Sequence, residues 1–213
     1  MKHLKHIAII IFASSFFACS KDNLKDVSDI CTQMEDIALM NYCYKNFDAN
    51  NDGKVSMNEA ESVFELGISF HDIYSLKGIE YFKNLRVLYC NRTMITSLDI
   101  SKNNHLQELN CSGCYGLSSL DISKNTELQD LACIDCSLST LDLSNNTKLE
   151  SLHCNNNRLT SLDITFLPYL RRWTELGDVL GFQDGITLIV FDKKEYWGDT
   201  NPKNRGNTRW VLR

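Results

Sequence analysis

The clearest chemistry in the chain lies in a run of oxygen-bearing side chains at residues 48–59, which read DANNDGKVSMNE. Side-chain oxygens at loop positions 1, 3 and 5, a glycine at position 6 and a glutamate at position 12 are the spacing that surrounds a calcium ion. Gly53 permits the sharp turn that brings these groups together. The alternative is an Asp/Asn–Gly turn without a metal. The predicted calcium ligands are Asp48, Asn50, Asp52, the carbonyl of Lys54, Ser56 directly or through water, and both carboxylate oxygens of Glu59.

This loop resembles that of an EF-hand, which needs a helix on each side. A short exit helix is predicted from Met57 to about Val63. EF-hand loops usually pair, so a single loop must lean on the adjacent first repeat. Its three carboxylates predict a Kd on the order of 10⁻⁵–10⁻³ M, which suits a structural role better than a signalling switch. Apolar residues three and four positions apart predict one continuous amphipathic helix entering the loop: Ile30, Met34, Ile37, Met40, Tyr44 and Phe47.

The chain that follows the loop repeats itself every 21 or 22 residues. Four lines begin LRVLYC at Leu85, LQELNC at Leu106, LQDLAC at Leu128 and LESLHC at Leu149, and each continues into a segment such as ITSLDISKN. The pattern LxxLxLxx(N/C)xL is that of a leucine-rich repeat, in which stacked coils share one core. A fainter first line has apolar residues at matching offsets: Val63, Leu66, Ile68, Ile73, Leu76 and Ile79.

The repeats resemble those of short, internalin-like leucine-rich repeat proteins over roughly residues 63–170. The predicted fold is α+β, a short leucine-rich repeat β-solenoid of about five coils. An N-terminal helical, EF-hand-like cap is expected at residues 28–62, the repeats at 63–169 and a β-rich C-terminal cap at 170–213. Residues 185–191 and 208–213 are predicted strands, and a solenoid end needs such a cover. The alternative for this segment is a ligand pocket built by Trp173, Trp197 and Trp210.

The first 18 residues read as a secretory signal, with a basic start at Lys2 and Lys5 followed by an apolar run. That run is too short to span a bilayer of ~30 Å. The FFAC ending resembles a bacterial lipobox, with Phe16 as a departure, and predicts lipidation of Cys19 and a tether at residues 19–27. The chain thereby resembles surface lipoproteins of Gram-negative gut anaerobes. The predicted location is the cell envelope as an outer-membrane lipoprotein, facing either side, and the alternative is soluble secretion.

Nine cysteines invite two interpretations. The pairs Cys111/Cys114 and Cys133/Cys136 match a zinc-ribbon spacing, which leaves a zinc or redox protein as an alternative. The repeat register instead assigns the first cysteine of each pair to an inward apolar position and the second to the Asn/Cys position. Stacked cysteines are too far apart for disulfides. Cys31 and Cys43 would lie about 18 Å apart along the predicted helix, at 1.5 Å per residue. We therefore expect buried, reduced thiols.

Charge and side-chain spacing reduce the range of functions that the sequence supports. The chain has 27 acidic and 22 basic residues, and the mature chain loses two lysines with the signal, which argues against nucleic acid and against charge-driven membrane binding. No nucleophile lies near a base in sequence, so no enzyme is predicted. The aspartates of the repeated LD(I/L) step, Asp99, Asp121, Asp142 and Asp163, are expected to bond local backbone at turns.

The remaining function is recognition of an unknown protein or glycan by the outward face of the repeat strands. The alternative is an architectural lipoprotein whose sheet face is simply solvated. Five strands ~4.8 Å apart, each exposing about five residues, present roughly 400 Å², against about 800 Å² per partner in a standard protein interface. The candidate ligand face consists of Arg86, Tyr89, Gln107, Glu108, Asn110, Gln129, Asp130, Glu150 and His153.

Overall fold

The computed structural model describes residues 28–69, 72–164 and 167, together with the backbone of two strands at 187–190 and 209–212. The predicted signal, Cys19, the tether, Trp173 and Trp197 lie outside the described residues. In the described part, no helix is both long and apolar enough to cross a membrane. The helices are a 3₁₀ turn at Ile30–Gln33, α1 at Ile37–Phe47, α2 at Met57–Glu61 and a second 3₁₀ turn at Ile79–Tyr81.

Five short strands form one parallel sheet in chain order: β1 Glu65–Gly67, β2 Val87–Tyr89, β3 Glu108–Asn110, β4 Asp130–Ala132 and β5 Ser151–His153. Glu65 pairs with Val87 and Val87 with Glu108, so each coil advances by one 21- or 22-residue repeat. Successive side chains of a strand point to opposite faces. The central leucines point inward and are at most 2% exposed: Leu66, Leu88, Leu109, Leu131 and Leu152. The predicted β-solenoid of stacked repeats is confirmed.

A ladder of buried asparagines joins the coils at the turns that precede strands β3, β4 and β5. Asn103, Asn125 and Asn146 come from the repeated SKN or SNN step, and all three are fully buried. The Asn125 amide nitrogen donates to the carbonyls of Ile100 at 3.1 Å and Asn103 at 3.0 Å, both one coil earlier. The Asn103 and Asn146 amide nitrogens each donate to two carbonyls in the same way. Each amide thus satisfies two buried carbonyl groups at the turn.

A second parallel sheet begins in the last repeat. It contains β6 Ser161–Asp163, β7 Thr187–Val190 and β8 Arg209–Leu212, with Ser161 paired to Thr187 and Thr187 to Arg209. The strands predicted at residues 185–191 and 208–213 are therefore present and somewhat shorter. Strand β6 is the LDI step, which is not a strand in the earlier coils. The C-terminal strands thus continue the solenoid as a second parallel sheet, which begins at the LDI step of the last repeat.

The prediction of one continuous helix from Ile30 to Phe47 is wrong. The chain forms a 3₁₀ turn at Ile30–Gln33, becomes extended at Met34 and starts α1 only at Ile37. Asp36 marks the end of this irregular segment and the start of α1. Its carboxylate accepts the N–H groups of Ala38 and Leu39 and so caps the helix N-terminus. Ile37 is 69% exposed, so it does not belong to the apolar face.

The N-terminal cap is attached to the first coil by several contacts. The second Asp36 oxygen accepts the N–H of Tyr74 at 2.7 Å. The Phe47 and Phe82 rings meet edge to face with centroids 5.5 Å apart. Gly78 has φ 107°, and a Cβ there would lie 2.5 Å from Met34 Cγ. The irregular Met34 segment therefore lies directly against the first coil.

Candidate functional site

The predicted calcium loop folds back on itself. Asn51 and Gly53 have φ of 59° and 83°, which turns the chain sharply. The Asp48 carboxylate accepts the N–H groups of Asp52 at 3.1 Å and Gly53 at 2.9 Å. The Asp52 carboxylate accepts the N–H of Lys54 at 2.9 Å. The loop is thus closed by its own side-chain oxygens.

Glu59 at position 12 reaches back across the loop. One carboxylate oxygen accepts the N–H groups of Ala49 at 2.9 Å and Asn50 at 3.3 Å, and the other accepts the N–H and hydroxyl of Ser56, each at 2.8 Å. Ser56 in turn caps α2. Burial raises the pKa of Glu59, but the hydrogen bonds from Ser56, Asn50 and Ala49 together outweigh it, so the pKa is lowered. Glu59 is therefore held as a carboxylate facing the start of the loop.

The donor chemistry of this loop fits calcium, because carboxylate and amide oxygens are its preferred ligands. In this structure the carboxylate and amide oxygens of the loop do not converge on one point. Within the described ranges, no group of three or more His, Cys, Asp or Glu side chains is placed to hold a metal ion. The oxygens of Asp48, Asp52 and Glu59 face backbone N–H groups, and an ion would compete with those groups for them.

The support for the loop comes from a residue that sequence reasoning missed. Asp29 is 8% exposed, and its carboxylate accepts the N–H groups of Cys31 and Val55 and the hydroxyl of Tyr44. Val55 lies inside the loop and also accepts the N–H of Ile30 at 2.9 Å. The hydrogen bond to Asp29 is the main cause that raises the pKa of Tyr44 to about 12. The loop therefore leans on residues 29–30, and its exit helix α2 also contacts the 3₁₀ turn at Ile79–Tyr81 of the first coil, where support was expected.

The interior cysteines follow the repeat register rather than the CxxC spacing. Cys90, Cys111, Cys133 and Cys154 are buried in the core. The Cys114 thiol contacts the carbonyl of Cys90 at 3.3 Å, and the Cys136 thiol contacts that of Cys111 at 3.3 Å. A separate side-chain hydrogen bond with the Cys90 thiol is the main cause that lowers the pKa of Cys114 to about 6. Each CxxC motif thus places its two cysteines against different coils.

The residues predicted as a ligand face do share the outward side of the five-stranded sheet and its edge. All of them are exposed or half-buried: Arg86, Tyr89, Gln107, Glu108, Asn110, Gln129, Asp130, Glu150 and His153. Glu108 and Asp130 are direct partners in the register of β3 and β4. Two like charges directly opposite each other on neighbouring strands destabilise a sheet. Their pairing concentrates negative charge on this part of the face.

Tyr89 lies in the middle of this acidic surface. Its hydroxyl donates to Glu108 at 2.7 Å. The pKa of Tyr89 is raised, and burial is the largest cause. The hydrogen bond to Glu108 and the charges of Glu108, Glu65 and Asp130 raise it further. The Arg86 guanidinium lies 5.2 Å from the centre of the Phe64 ring, at the edge of the same face. The face therefore combines acidic groups with two aromatic rings and one cation.

Two apolar side chains beside this face were not predicted. Met94 is 54% exposed and Tyr115 is 70% exposed. Each follows by two residues a corner with positive φ, at Arg92 and Gly113, and such corners recur at Asp135 and Asn156. The equivalent residues after the later corners are Ser137 and Arg158. The signal available in the sequence was the presence of large apolar residues at an exposed repeat position.

The aspartates of the LD(I/L) step are local turn residues, as predicted, in three of the four coils. Asp99, Asp121 and Asp142 accept the N–H groups of Ser101, Ser123 and Ser144 at 3.0, 2.9 and 2.9 Å. These backbone hydrogen bonds are the main cause that lowers the pKa of all three carboxyl groups.

Solved structures with a similar fold include two internalins of Listeria monocytogenes. Internalin C2 is 15% identical, with 91% of this chain and all of that chain covered and a TM-score of 0.47. Internalin inlF is 19% identical, with coverage of 89% and 59% and a TM-score of 0.48. The leucine-rich repeat domain of APL1B is 19% identical, with coverage of 75% and 41% and a TM-score of 0.46. No curated protein matches the sequence.

One family model matches residues 36–146, which is just over half of the chain. It describes the LRR domain of endo-beta-N-acetylglucosaminidase EndoS. The matched region runs from the N-cap of α1 to the last asparagine of the buried ladder, and therefore includes the loop and strands β1–β4. The chain belongs to the leucine-rich repeat family defined by the EndoS LRR domain.

Proposed function

We propose that this protein is a lipid-anchored, calcium-stabilised module that recognises a protein partner at the cell envelope through the outward face of β1–β5. The observation that carries the proposal is the direct pairing of Glu108 with Asp130, with the Tyr89 hydroxyl on Glu108. Repeat solenoids use such continuous strand surfaces for binding. A surface that places two negative charges side by side is suited to a partner with complementary positive charge.

The small area of the ligand face limits the affinity that we expect for a partner. The strands alone offer roughly 400 Å², about half of a standard interface side. Met94 and Tyr115 add exposed apolar surface just after the corners that follow β2 and β3. Aromatic and arginine side chains contribute most to binding energies, and Phe64, Arg86 and Tyr115 supply them here. We expect a Kd of about 10⁻⁶ M, typical of a small or transient interface.

The experiment compares three forms of residues 20–213 as bait for envelope proteins and host glycoproteins. The forms are the wild type, a face variant with Arg86→Ala, Tyr89→Ala and Glu108→Ala, and a control variant with Lys102→Ala, Lys124→Ala and Asn145→Ala. The control changes exposed residues at the turns beside the buried asparagines. The face proposal requires a protein that the wild type and the control bind equally and the face variant binds at least about tenfold more weakly.

The other outcomes decide between the remaining functions. Equal binding by all three forms would place the binding surface elsewhere. Binding that disappears after enzymatic removal of the partner's glycans would make the ligand a glycan. Recovery of no partner by any form would favour an architectural lipoprotein.

Calcium binding by residues 48–59 is the second part of the proposal. It is supported by the oxygen donors of Asp48, Asp52 and Glu59 and by the closed loop with positive φ at Asn51 and Gly53. Bound calcium would supply positive charge that offsets the three carboxylates of the loop. The protein groups hold the loop through Val55, whose N–H and carbonyl are fixed by residues 29–30. The proposed role is to order the cap that lies against the first coil.

Elemental analysis and melting curves test this role. After equilibration of residues 20–213 with ~1 mM calcium and micromolar zinc, we expect about one calcium and no zinc per chain. Asp48→Ala combined with Glu59→Ala should lower the melting temperature in calcium and abolish its shift with chelator, and Asn58→Ala should leave both unchanged. An unchanged melt in the double variant would contradict the role of the loop. One zinc per chain would assign a metal to the cysteines.

The lipid anchor is the third part of the proposal, and it is supported by the FFAC sequence that ends at Cys19. The full chain expressed in a Gram-negative host should incorporate labelled palmitate and fractionate with membranes. Cys19→Ala should lose both properties, because Cys19 is the residue proposed to carry the lipid. Membrane fractionation that persists in Cys19→Ala without label would contradict lipid anchoring.

A further inference from the structure

The N-terminal cap brings two distant cysteines together. Cys31 lies in the 3₁₀ turn and Cys43 in α1, and both are fully buried. The turn packs directly against the helix. A hydrogen bond with the Cys31 thiol is the main cause that raises the pKa of Cys43, ahead of burial. The expectation that the two cysteines lie about 18 Å apart on one helix is therefore wrong, because the helix breaks between them.

An adjacent hydrogen bond holds the two segments in this arrangement. Asp29, two residues before Cys31, accepts the hydroxyl of Tyr44, the residue after Cys43, at 2.7 Å. The same carboxylate accepts the N–H of Cys31 at 3.0 Å. These hydrogen bonds and the packing of the turn on α1 hold Cys31 close to the helix that carries Cys43.

The thiols of Cys31 and Cys43 differ from those inside the solenoid. Cys114 and Cys136 occupy a repeat position whose residue donates to a strand carbonyl, as Thr93 does to Cys90 at 2.7 Å and Asn157 does to Cys133 at 2.7 Å. Oxidation of either cysteine would remove one of the donors to a buried carbonyl. In the described residues, the cap thiols make no such bond to a carbonyl, so joining them removes no donor.

We propose that Cys31 and Cys43 form a disulfide that staples the N-terminal cap when the protein folds outside the cytoplasm. The inference rests on the proposed envelope location, since disulfides persist in oxidising compartments. The co-reactant is a thiol–disulfide oxidant. One cysteine thiolate attacks the oxidant disulfide, and the second displaces the oxidant from the mixed disulfide. Two thiols and one oxidant disulfide thus become one Cys31–Cys43 disulfide and two oxidant thiols.

The staple would act on the segment that supports the calcium loop. It ties the 3₁₀ turn that follows Asp29 to α1, and Asp29 holds Val55 of the loop through a 3.2 Å hydrogen bond. A covalent link that closes a loop of this size restricts mainly the unfolded chain. We therefore expect the oxidised protein to keep its cap when calcium is removed.

Mass spectrometry of the full exported chain tests the proposal. The protein is extracted from the envelope, alkylated with N-ethylmaleimide in denaturant without reductant, and digested with trypsin. Both cysteines fall in one peptide, residues 26–45, because no Lys or Arg separates Lys25 from Lys45. We expect this peptide to lack both labels and to be two hydrogens lighter than its dithiol form, while peptides with Cys114 and Cys136 are labelled.

Two controls separate this inference from the location on which it rests. Cys31→Ser should expose Cys43 to labelling, and Cys43→Ser should expose Cys31. The purified, reduced full chain should re-form the bond in oxidised glutathione, and reduction should lower the melting temperature of the wild type by about 5–10 °C. A peptide that stays doubly labelled even in oxidised glutathione would overturn the pairing. A peptide labelled in the envelope extract and oxidised only in glutathione would overturn the oxidising location and retain the pairing.

Discussion

The Asp36 carboxylate accepts the backbone N–H of Tyr74 at 2.7 Å while its other oxygen caps the first turn of α1. One side chain therefore sets where the helix begins and where the cap meets the first coil. The arrangement joins segments 38 residues apart in the sequence. It explains why the helix begins at Ile37 although the apolar pattern starts at Ile30.

Replacing Asp36 should destabilise the protein by more than the loss of a helix N-cap alone. Asp36→Ala loses an N-cap, worth about 1 kcal/mol, and a hydrogen bond to a charged acceptor, worth about 1.5–3 kcal/mol. We expect a loss of about 2–4 kcal/mol in urea unfolding. Asp36→Asn should cost less because it keeps the cap, and exposed Asp72→Ala should be near neutral. Equal effects of Asp36→Ala and Asp72→Ala would show that the bridge to Tyr74 contributes nothing.

The buried asparagine ladder can be tested with two adjacent residues. Asn103 donates to the carbonyls of Ile79 at 2.9 Å and Phe82 at 3.0 Å, whereas Asn104 is exposed. Asn103→Ala removes two hydrogen bonds to carbonyls that keep the backbone N–H groups of Phe82 and Leu85 as donors, and it should cost about 1–3 kcal/mol. Asn104→Ala should change the free energy of unfolding by less than about 0.5 kcal/mol. A small effect of Asn103→Ala would mean that water replaces the amide.

The corner at Gly113 should be sensitive to the side chain of the preceding coil. Gly113 has φ 75°, and a Cβ there would lie 2.8 Å from Arg92 Cγ. Gly113→Ala should therefore cost about 1–2 kcal/mol for the left-handed backbone plus the cost of the clash. In an Arg92→Ala background, the clash disappears and only the backbone cost remains.

A double-mutant cycle in urea measures the difference between these two costs. A coupling energy of at least about 0.5 kcal/mol between Arg92→Ala and Gly113→Ala is expected for residues in contact. Strict additivity would show that the Arg92 side chain moves away freely.

The turn aspartates should give the protein part of its sensitivity to acid. The pKa values of Asp99, Asp121 and Asp142 are lowered in the folded state by N–H groups of the following serines. Their contribution is present above the unfolded pKa of about 3.9 and is lost as the pH falls through the lower folded values. The triple Asn variant keeps the amide oxygen as an acceptor and removes the titration.

Urea unfolding midpoints measured at several pH values test whether stability falls with pH in this way. Between about pH 5 and pH 2, the midpoint of the wild type should fall more steeply than that of the triple Asn variant, and above pH 6 the two slopes should be parallel. Identical slopes at low pH would assign the acid sensitivity to another carboxylate with a lowered pKa, such as Glu59.

The sequence by itself determined the solenoid and its register. The 21- and 22-residue period places the leucine of each line at the same position, and side chains alternate along a strand. Leu88 and Tyr89 therefore had to point to opposite faces, and the ligand face could be named residue by residue. The turn at Gly53 was also readable, because the Asp/Asn–Gly order favours it in any context.

Only the tertiary structure decided how the N-terminal cap is built. A helical period runs through Ile30 and Met34, yet the helix breaks there because Asp36 and Met34 find partners at Tyr74 and Gly78 of the first coil. Those partners are about 40 residues away and carry no local signal. The same break places Cys31 against Cys43, and it allows Asp29 to support the loop. Local periodicity reports the preference of a segment, whereas these contacts depend on which buried groups another segment leaves unsatisfied.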